Sequence, residues 1–478
     1  MGMTEDLFTN RPIDRDLDYS RPLDVHRWSS YPEVNELVHK VFALCFEGRP
    51  LKITTKHLKM VLLDLYVAWK EDPDLKIAVS LNSNSYRGKT RYNALHITRK
   101  TIDIVKELHR SGLIHFAKGF LDRNTRTGRL SRIWATQRLI DLFDSFHLSA
   151  DMIKRSENEE VIILRDGDGK LIDYEDTAEV ERMRSLVKKY NALLWTKFID
   201  IRRLDKPRIR KSDGTYLSIG VHSQRVRRVF NRGALDKGGR FFGAWWQGCP
   251  KEWRKEIFID DAPIIEEDYS SLHIALLYAQ KGVNYYNSKK EDAYQLKIPL
   301  FLSTLEQTRH YAKLLLLMAV NAKSDKAAFA AFREDRKQDG DILGSKLKDA
   351  QLEEMLEGLR KKHPEIADRL GSDAGIDLMN QDSKITEKVI STFVNANKPV
   401  LTVHDSYIVH FGDWKLLQAT LEEAYEEVTG MQGIRSTRTG VAMGDENSWL
   451  KERLAPEALL RSKGYAQRLI DWMAYRKP

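Results

Sequence analysis

Hydrophobic and polar positions divide this chain into readable elements. A helical period with an apolar face runs over Leu58–Trp69. A second predicted helix spans Thr98–Ser111, with Ile102, Ile104, Val105 and Leu108 inward. Thr98 is its expected N-cap and Gly112 its stop. Strand patterns follow at Leu113–Phe120 and Leu130–Ala135, on either side of the polar turn Asp122–Arg129. Residues 1–45 have little period and several prolines, and predict an irregular arm. Arg165-Asp166-Gly167-Asp168-Gly169-Lys170 lacks the twelfth-position glutamate of a calcium loop, and predicts a hairpin turn between two strands. Glu179–Ile199 reads as a long helix, 290–395 as mostly helical, 399–411 as a strand, and 414–429 and Pro456–Tyr475 as helices.

Two strand-like runs each end in an aspartate: Ile264 through Asp268 and Leu401 through Asp405. Side by side, two carboxylates repel by roughly 4 kcal/mol at about 4 Å and an effective dielectric near 20. Divalent cations between them make the arrangement tolerable. Mg²⁺ favours a few carboxylates with water and phosphate oxygens. Two such ions clamp the attacking and leaving oxygens of a phosphoryl transfer. The pair therefore predicts a two-metal nucleotidyl transferase.

Between them, a helix beginning near Glu306 carries Arg309, Lys313, Leu317 and Asn321 at four-residue steps, a slowly turning stripe. An arginine fork and a lysine point charge one turn apart suit a triphosphate.

The chain has 478 residues and a formal charge of +9, a lean toward polyanionic partners. Cations concentrate in Arg202-Arg203, Lys206–Lys211 and Arg225–Arg240, which predicts a phosphate-binding stretch. Arg240, beside two glycines, is expected to approach a phosphate closely. Trp245 and Trp246 are expected in the core. Two cysteines, Cys45 and Cys249, exclude a disulfide framework and a Cys-rich zinc site. No apolar run approaches the roughly 18–20 residues of a membrane span. The polar, acidic start is wrong for a signal peptide. The expected setting is the cytoplasm, with no membrane partner.

The helices and basic hairpin of 46–150 resemble a winged helix, with Lys118, Arg123, Arg126, Arg129 and Arg132 on the wing contacting phosphates. The alternative use of such a module is protein docking.

Taken in order, Asp268-Tyr269-Ser270, Arg309-x3-Lys313 and Val403-His404-Asp405 resemble motifs A, B and C of the family A DNA polymerases, and those of the related single-subunit phage RNA polymerases. The resemblance covers roughly residues 215–430. It implies an α+β right-hand polymerase with an antiparallel-sheet palm and helical fingers. It implies that Asp268 and Asp405 bind two Mg²⁺ ions, for which Mn²⁺ substitutes, with the Tyr269 backbone carbonyl completing one shell. Arg309 and Lys313 would grip the incoming triphosphate, and Lys313 would protonate the leaving pyrophosphate. His404 would touch the primer-terminal phosphate.

Departures from that pattern touch the sugar pocket. His273 stands where the DNA enzymes carry a glutamate that excludes the ribose 2′-hydroxyl. Ser406 replaces the glutamate of motif C, as in the RNA enzymes. Asn321 holds the place of an aromatic eight residues after the lysine. The resemblance thus implies relaxed sugar selection and primer synthesis. The N-terminal third lacks the Asp-x-Glu strand motif of a proofreading exonuclease.

The expected domains are an arm (1–45), a winged-helix-like nucleic-acid-binding domain (46–150), a linker hairpin and thumb-like long helix (151–214), palm with motif A (215–285), fingers (286–395), palm with motif C (396–430), and a C-terminal palm extension with a closing helix (431–478). Expected partners are DNA template and primer, dNTPs and rNTPs, and an accessory single-strand-binding or helicase protein. The alternative readings are a single-subunit RNA polymerase or dedicated primase, and a DNA-binding replication protein with an inactive palm.

Overall fold

The computed structural model describes residues 4–5, 12–13, 15–46, 48, 51–86, 90–122, 124, 127–288, 291–296, 304–439 and 460–474. Two large hydrophobic cores organise them, one in each part of the chain.

The first core gathers helices α1 (Pro32–Cys45) and α2 (Leu51–Glu71), strand β1 (Lys76–Val79), helix α3 (Lys100–Arg110), strands β2 (Ile114–Ala117) and β3 (Ser131–Ala135), and helix α4 (Gln137–Ser145). Strand β3 lies between β1 and β2, antiparallel to both, with Ile133 opposite Ile77 and Phe116. Helix α1 corrects the expectation of an irregular arm. Pro32 opens it, where a missing N–H costs nothing. Val34, Leu37, Val38 and Val41 then form a buried helical stripe. Each is worth roughly 1.5–3 kcal/mol of gross burial.

Helix α3 begins two residues beyond the start expected for it. The Thr98 N–H donates to His57 Nε2 at 3.0 Å, and Arg99 occupies the cap without a side-chain bond. Gly112, at φ 68°, ends this unit as expected. The hairpin narrows at its tip to Phe120–Leu121 paired with Gly128–Arg129. Arg123 and Arg126 lie outside the described residues.

The second core holds strand β4 (Ile162–Leu164), helix α5 (Ala178–Trp195), and strands β5 (Ile199–Ile201), β6 (Arg227–Asn231), β7 (Ala234–Phe242), β8 (Ile257–Ile259) and β9 (Ala262–Tyr269). Helices α6 (Leu272–Gln280), α7 (Leu305–Asn321), α8 (Asp325–Gln338), α9 (Asp349–Lys362) and α10 (Gly375–Asn395) follow. Strands β10 (Val400–Val403) and β11 (Ser406–His410), helix α11 (Trp414–Thr429), strand β12 (Ser436–Thr439) and helix α12 (Lys463–Ala474) complete it. The main sheet runs β5-β8-β9-β11-β10, with β12 also on β9, and every pairing is antiparallel. A second sheet runs β4-β6-β7. The architecture is mixed α+β. No described helix is long and apolar enough to cross a membrane.

Several expectations change here. The span 399–411 is a hairpin rather than one strand, broken at His404, whose φ is 56°. The turn at 165–170 is closed by a single bridge, Arg165 to Leu171, while β4 pairs in parallel with β6. Helix α5 packs one face into the second core. Val180, Met183, Val187, Tyr190 and Leu194 are buried along it, and the Tyr190 hydroxyl donates to the Val400 carbonyl. Thr177 caps its start, accepting from the Val180 N–H. The closing helix is described from Lys463 to Ala474 and the residues before 460 are not. Trp245 and Trp246 are in the core, as expected.

The cation-rich stretch is largely committed to carboxylates. Arg202 pairs with Asp261, Arg208 with Asp74, Arg228 with Glu387, Arg232 with Asp373, and Arg240 with Asp382. These partners are distant in sequence, so charge density alone pointed to a phosphate surface that the folded chain uses internally.

Candidate active site

Strand β9 alternates strictly. Ile264, Glu266 and Asp268 share one face, while Ile265, Glu267 and Tyr269 share the other. Tyr269 anchors the strand end, its hydroxyl donating to the Leu421 carbonyl at 2.6 Å. The register with β11 sets Asp268 opposite Ser406. The β10–β11 turn consists of His404 and Asp405 alone. The Tyr269 N–H reaches the Asp405 carbonyl at 3.5 Å. Residues 137 positions apart in the chain thus meet at one end of the sheet.

Asp268 Oδ1 is buried and has no hydrogen-bond partner. Its carboxyl is pushed up to about 7, first by burial and then by the charges of Asp405 and Glu266, against the pull of Lys313 and Lys251. Glu266 Oε1 accepts from Ser406 Oγ at 2.6 Å and pairs with Arg254 at 3.0 Å. A cation would relieve both faults of Asp268, its unmet oxygen and its crowding by negative charge. The charged groups that could serve such a cation are the Asp268 and Asp405 carboxylates, which the charge of each sets against the other. Among the described residues no cluster of three or more His, Cys, Asp or Glu side chains forms a metal site. Such a sparse set suits a hard cation that keeps water and phosphate ligands.

Lys313 is exposed on α7, with its Nζ 5.6 Å from the Tyr294 ring centroid. Arg309, one turn earlier, is not free as expected. Its Nε and Nη2 reach Asp292 Oδ2 at 3.0 and 2.7 Å. Both partners are about two-fifths exposed, so the pair is worth roughly 0–1 kcal/mol and a polyphosphate can displace it. Leu317 is half-buried. Asn321 leaves the stripe. Twelve residues at 100° each turn it about 120° from Arg309. Its Nδ2 donates to the Leu317 carbonyl at 2.7 Å, and it packs on Gly375, where a Cβ would lie 1.8 Å from Asn321 Oδ1.

His273 and Arg240 prove to be one unit. Arg240 Nη2 donates to His273 Nε2 at 2.9 Å, and Arg240 Nε donates to Asp382 Oδ2 at 2.6 Å. Burial lowers the His273 pKa, so the ring accepts rather than carries charge. Arg240 is therefore directed at Asp382 and His273, not at a phosphate as the glycines beside it suggested. Gly239 permits the approach of β7 to α10: at φ 88°, a Cβ there would stand 2.7 Å from Phe230 and 2.8 Å from Ser383. His404 is exposed, its ring 6.1 Å from that of Phe242.

Asp382 was missed in the sequence. It is fully buried with Oδ1 unpartnered. The available signal was a lone carboxylate within the apolar stripe Leu378, Ile385, Val389 of α10.

The hairpin cations divide. Lys118 is exposed, and the Arg129 guanidinium lies 5.6 Å from the Phe120 ring centroid. Arg132 is a correction: it is 8% exposed and donates to the Leu17 and Leu130 carbonyls at 2.8 and 2.7 Å. It lies on the face of β3 opposite the core residue Ile133, covered by the segment that carries Leu17.

No protein-family model matches this chain, and no curated protein matches it. Among solved structures it is similar to the POL domain of Pol1 from M. smegmatis in complex with DNA primer-template and dNTP, at 13% identity and a TM-score of 0.26. That match covers 46% of this chain and 48% of the other, so the chain spans about half of the domain it matches. Similarity at this level carries no functional argument.

Proposed function

We propose that this protein is a template-directed nucleotidyl transferase that synthesises DNA. The observation that carries the reading is the buried, unpartnered Asp268 Oδ1 beside Asp405, with Lys313 acting on the same carboxylate. In this reading the β5-β8-β9-β11-β10 sheet is the palm, α7–α9 belong to the fingers, and α3 with the β2–β3 hairpin is a winged helix that holds template.

Asp268, Asp405 and the Tyr269 carbonyl would hold two Mg²⁺ ions, or Mn²⁺ in their place. Bound there, the ions supply charge neutralisation for an in-line displacement. The oxygen of a primer 3′-hydroxyl bonds to the α-phosphorus as the bond to the β-phosphate oxygen breaks. The hydroxyl proton leaves to solvent, and pyrophosphate departs. Lys313 donates a proton to that leaving group. Arg309, exchanging Asp292 for phosphate, orients the triphosphate. Positioning and electrostatics supply most of the rate. His404 sits at the turn, where a primer-terminal phosphate would lie.

A second reading, primer synthesis from ribonucleotides, is favoured by His273. Tied to Arg240, it presents no carboxylate to exclude a 2′-hydroxyl.

The test offers single-stranded template and labelled dNTPs or rNTPs, with and without primer, in Mg²⁺ or Mn²⁺. Incorporation that disappears in Asp405→Ala supports the reading. Full incorporation in that variant rejects the site. His273→Glu should raise the dNTP/rNTP preference about tenfold, and an unchanged ratio removes the sugar argument.

A further inference from the structure

The hairpin that joins β2 to β3 ends in a ribbon of two short strands, Phe120–Leu121 and Gly128–Arg129, which pair with each other and with no other described strand. The Asp122 N–H donates to the Thr127 carbonyl at 2.8 Å and carries the pairing toward the tip. At the base of the ribbon the two chains cross closely. A Cβ on Gly119 would stand 2.2 Å from the Arg129 carbonyl oxygen, and the Gly119 N–H donates to Ser131 Oγ at 3.1 Å. The ribbon is thus a small sheet of its own, beyond the one that closes the first core.

Apolar side chains gather on this projection. Phe120, Leu121 and Leu130 are 42%, 71% and 50% exposed. Among the described residues of 15–152, the other large apolar side chain so exposed is Leu44. A single exposed leucine is ordinary on a protein surface, whereas a cluster on one tip marks a contact. Leu121 pairs across the ribbon with Gly128, which offers no side chain to cover it.

Charge selects the partner. Residues 118–130 carry four cations, Lys118, Arg123, Arg126 and Arg129, and one acid, Asp122. Lys118 is exposed, and the Arg129 guanidinium stays beside the Phe120 ring. In a hydrophobic protein groove such cations would lose water without gaining partners. DNA answers both features, since its phosphates take the cations and an opened base step takes the apolar side chains. Shape then separates duplex from single strand. Unpaired strands lie in grooves lined with aromatic platforms. A narrow ribbon with an apolar point is convex, and suits insertion between stacked pairs.

We propose that this ribbon is a wedge for duplex DNA, with Leu121 inserted between two stacked base pairs, Phe120 against the base it displaces, and Lys118 and Arg129 on the neighbouring phosphates. The proposal rests on the template-holding role given above to this hairpin, and adds that holding the template opens a base step. Pyrimidine–purine steps, which unstack most easily, are the preferred place.

The test places the full chain on a duplex carrying 2-aminopurine at a T–A step, with fluorescence reporting unstacking and anisotropy reporting binding. At saturation the wild type should raise the emission about threefold or more. Leu121→Ala should remove most of that rise while the complex still forms and the melting temperature is unchanged. Leu121→Phe, a wedge of another shape, should keep the rise. Leu44→Ala, which removes an exposed leucine elsewhere, should change nothing. Lys118→Glu should weaken binding about threefold to tenfold and flatten its salt dependence. DNA bound without a rise, a rise that survives in Leu121→Ala, or a rise confined to the single-stranded form overturns the wedge and leaves the template role standing. No binding of DNA at any concentration overturns both. Self-association that Leu121→Ala abolishes, with no rise in emission, overturns the wedge in favour of contact between two copies.

Discussion

Ser406 Oγ donates to Glu266 Oε1 at 2.6 Å, tying the two carboxylate-bearing segments together. The Ser406 hydroxyl serves a carboxylate on the neighbouring strand, and Arg254 holds the same carboxylate from the other side. Ser406→Ala should cost roughly 1–3 kcal/mol, because a buried charged acceptor loses a donor. Urea unfolding measures this. A loss below experimental error would mean that Arg254 alone suffices.

Asp268 bears the strain of the site. Its buried charge sits among like charges. Asp268→Asn should therefore stabilise the protein by about 0.5–2 kcal/mol in EDTA while ending incorporation. Loss of an outer-sphere partner at a metal site costs about 10–100-fold, so loss of a ligand should cost at least about a hundredfold. Thermal melting with and without Mg²⁺ gives the stability half. A variant that melts lower than wild type in EDTA contradicts the crowding argument.

Arg309 and Asp292 form an exposed, weak pair. Asp292→Asn should release the guanidinium and lower the KM for dNTP about two- to fivefold. Arg309→Ala should raise it about tenfold. Neither should change stability by more than about 1 kcal/mol. Steady-state kinetics on a primed template reads both, and opposite signs for the two variants are the required result.

Acid should loosen the junction between the two cores. His26 is 9% exposed, lies 4.0 Å from Glu159, and has its pKa lowered to about 4 by burial. Since the unfolded chain takes up the proton at about 6.5, the stability held by neutral His26 is complete above that pH. It erodes as pH falls toward 4. Between pH 7 and 5 the loss is about 2 kcal/mol. Glu159 does not blur this window. Its pKa is lowered to about 2 despite burial, Arg155 being the largest lowering influence, so its contribution goes only at lower pH. Comparing urea midpoints of wild type and His26→Gln at pH 7 and 5 checks it. An equal pH response in both proteins assigns the acid sensitivity elsewhere.

Much of the local structure was legible because its causes are local. The apolar stripe of α3, the glycine after it, and helix 414–429 each depend on residues within a few positions. Short strand-like runs, each ending in an aspartate, marked β9 and the strand around Val400–Val403. The hairpin at His404 escaped because nothing there resembles the Asn-Gly or Asp-Gly of a tight turn. Helix α1 escaped because the prolines of 1–45 suggested irregularity, although one of them begins it.

From the amino acids alone came the two aspartate-bearing segments, the Arg-x3-Lys helix between them, and the sense of which runs are apolar. Periodicity is a short-range property, and a single chain carries it. Which cations are spent, which carboxylate is crowded, and where Asp382 is buried were decided only by folding. Ion pairs such as Arg240–Asp382 and Arg228–Glu387 join distant positions, and burial alone makes an unmet oxygen costly.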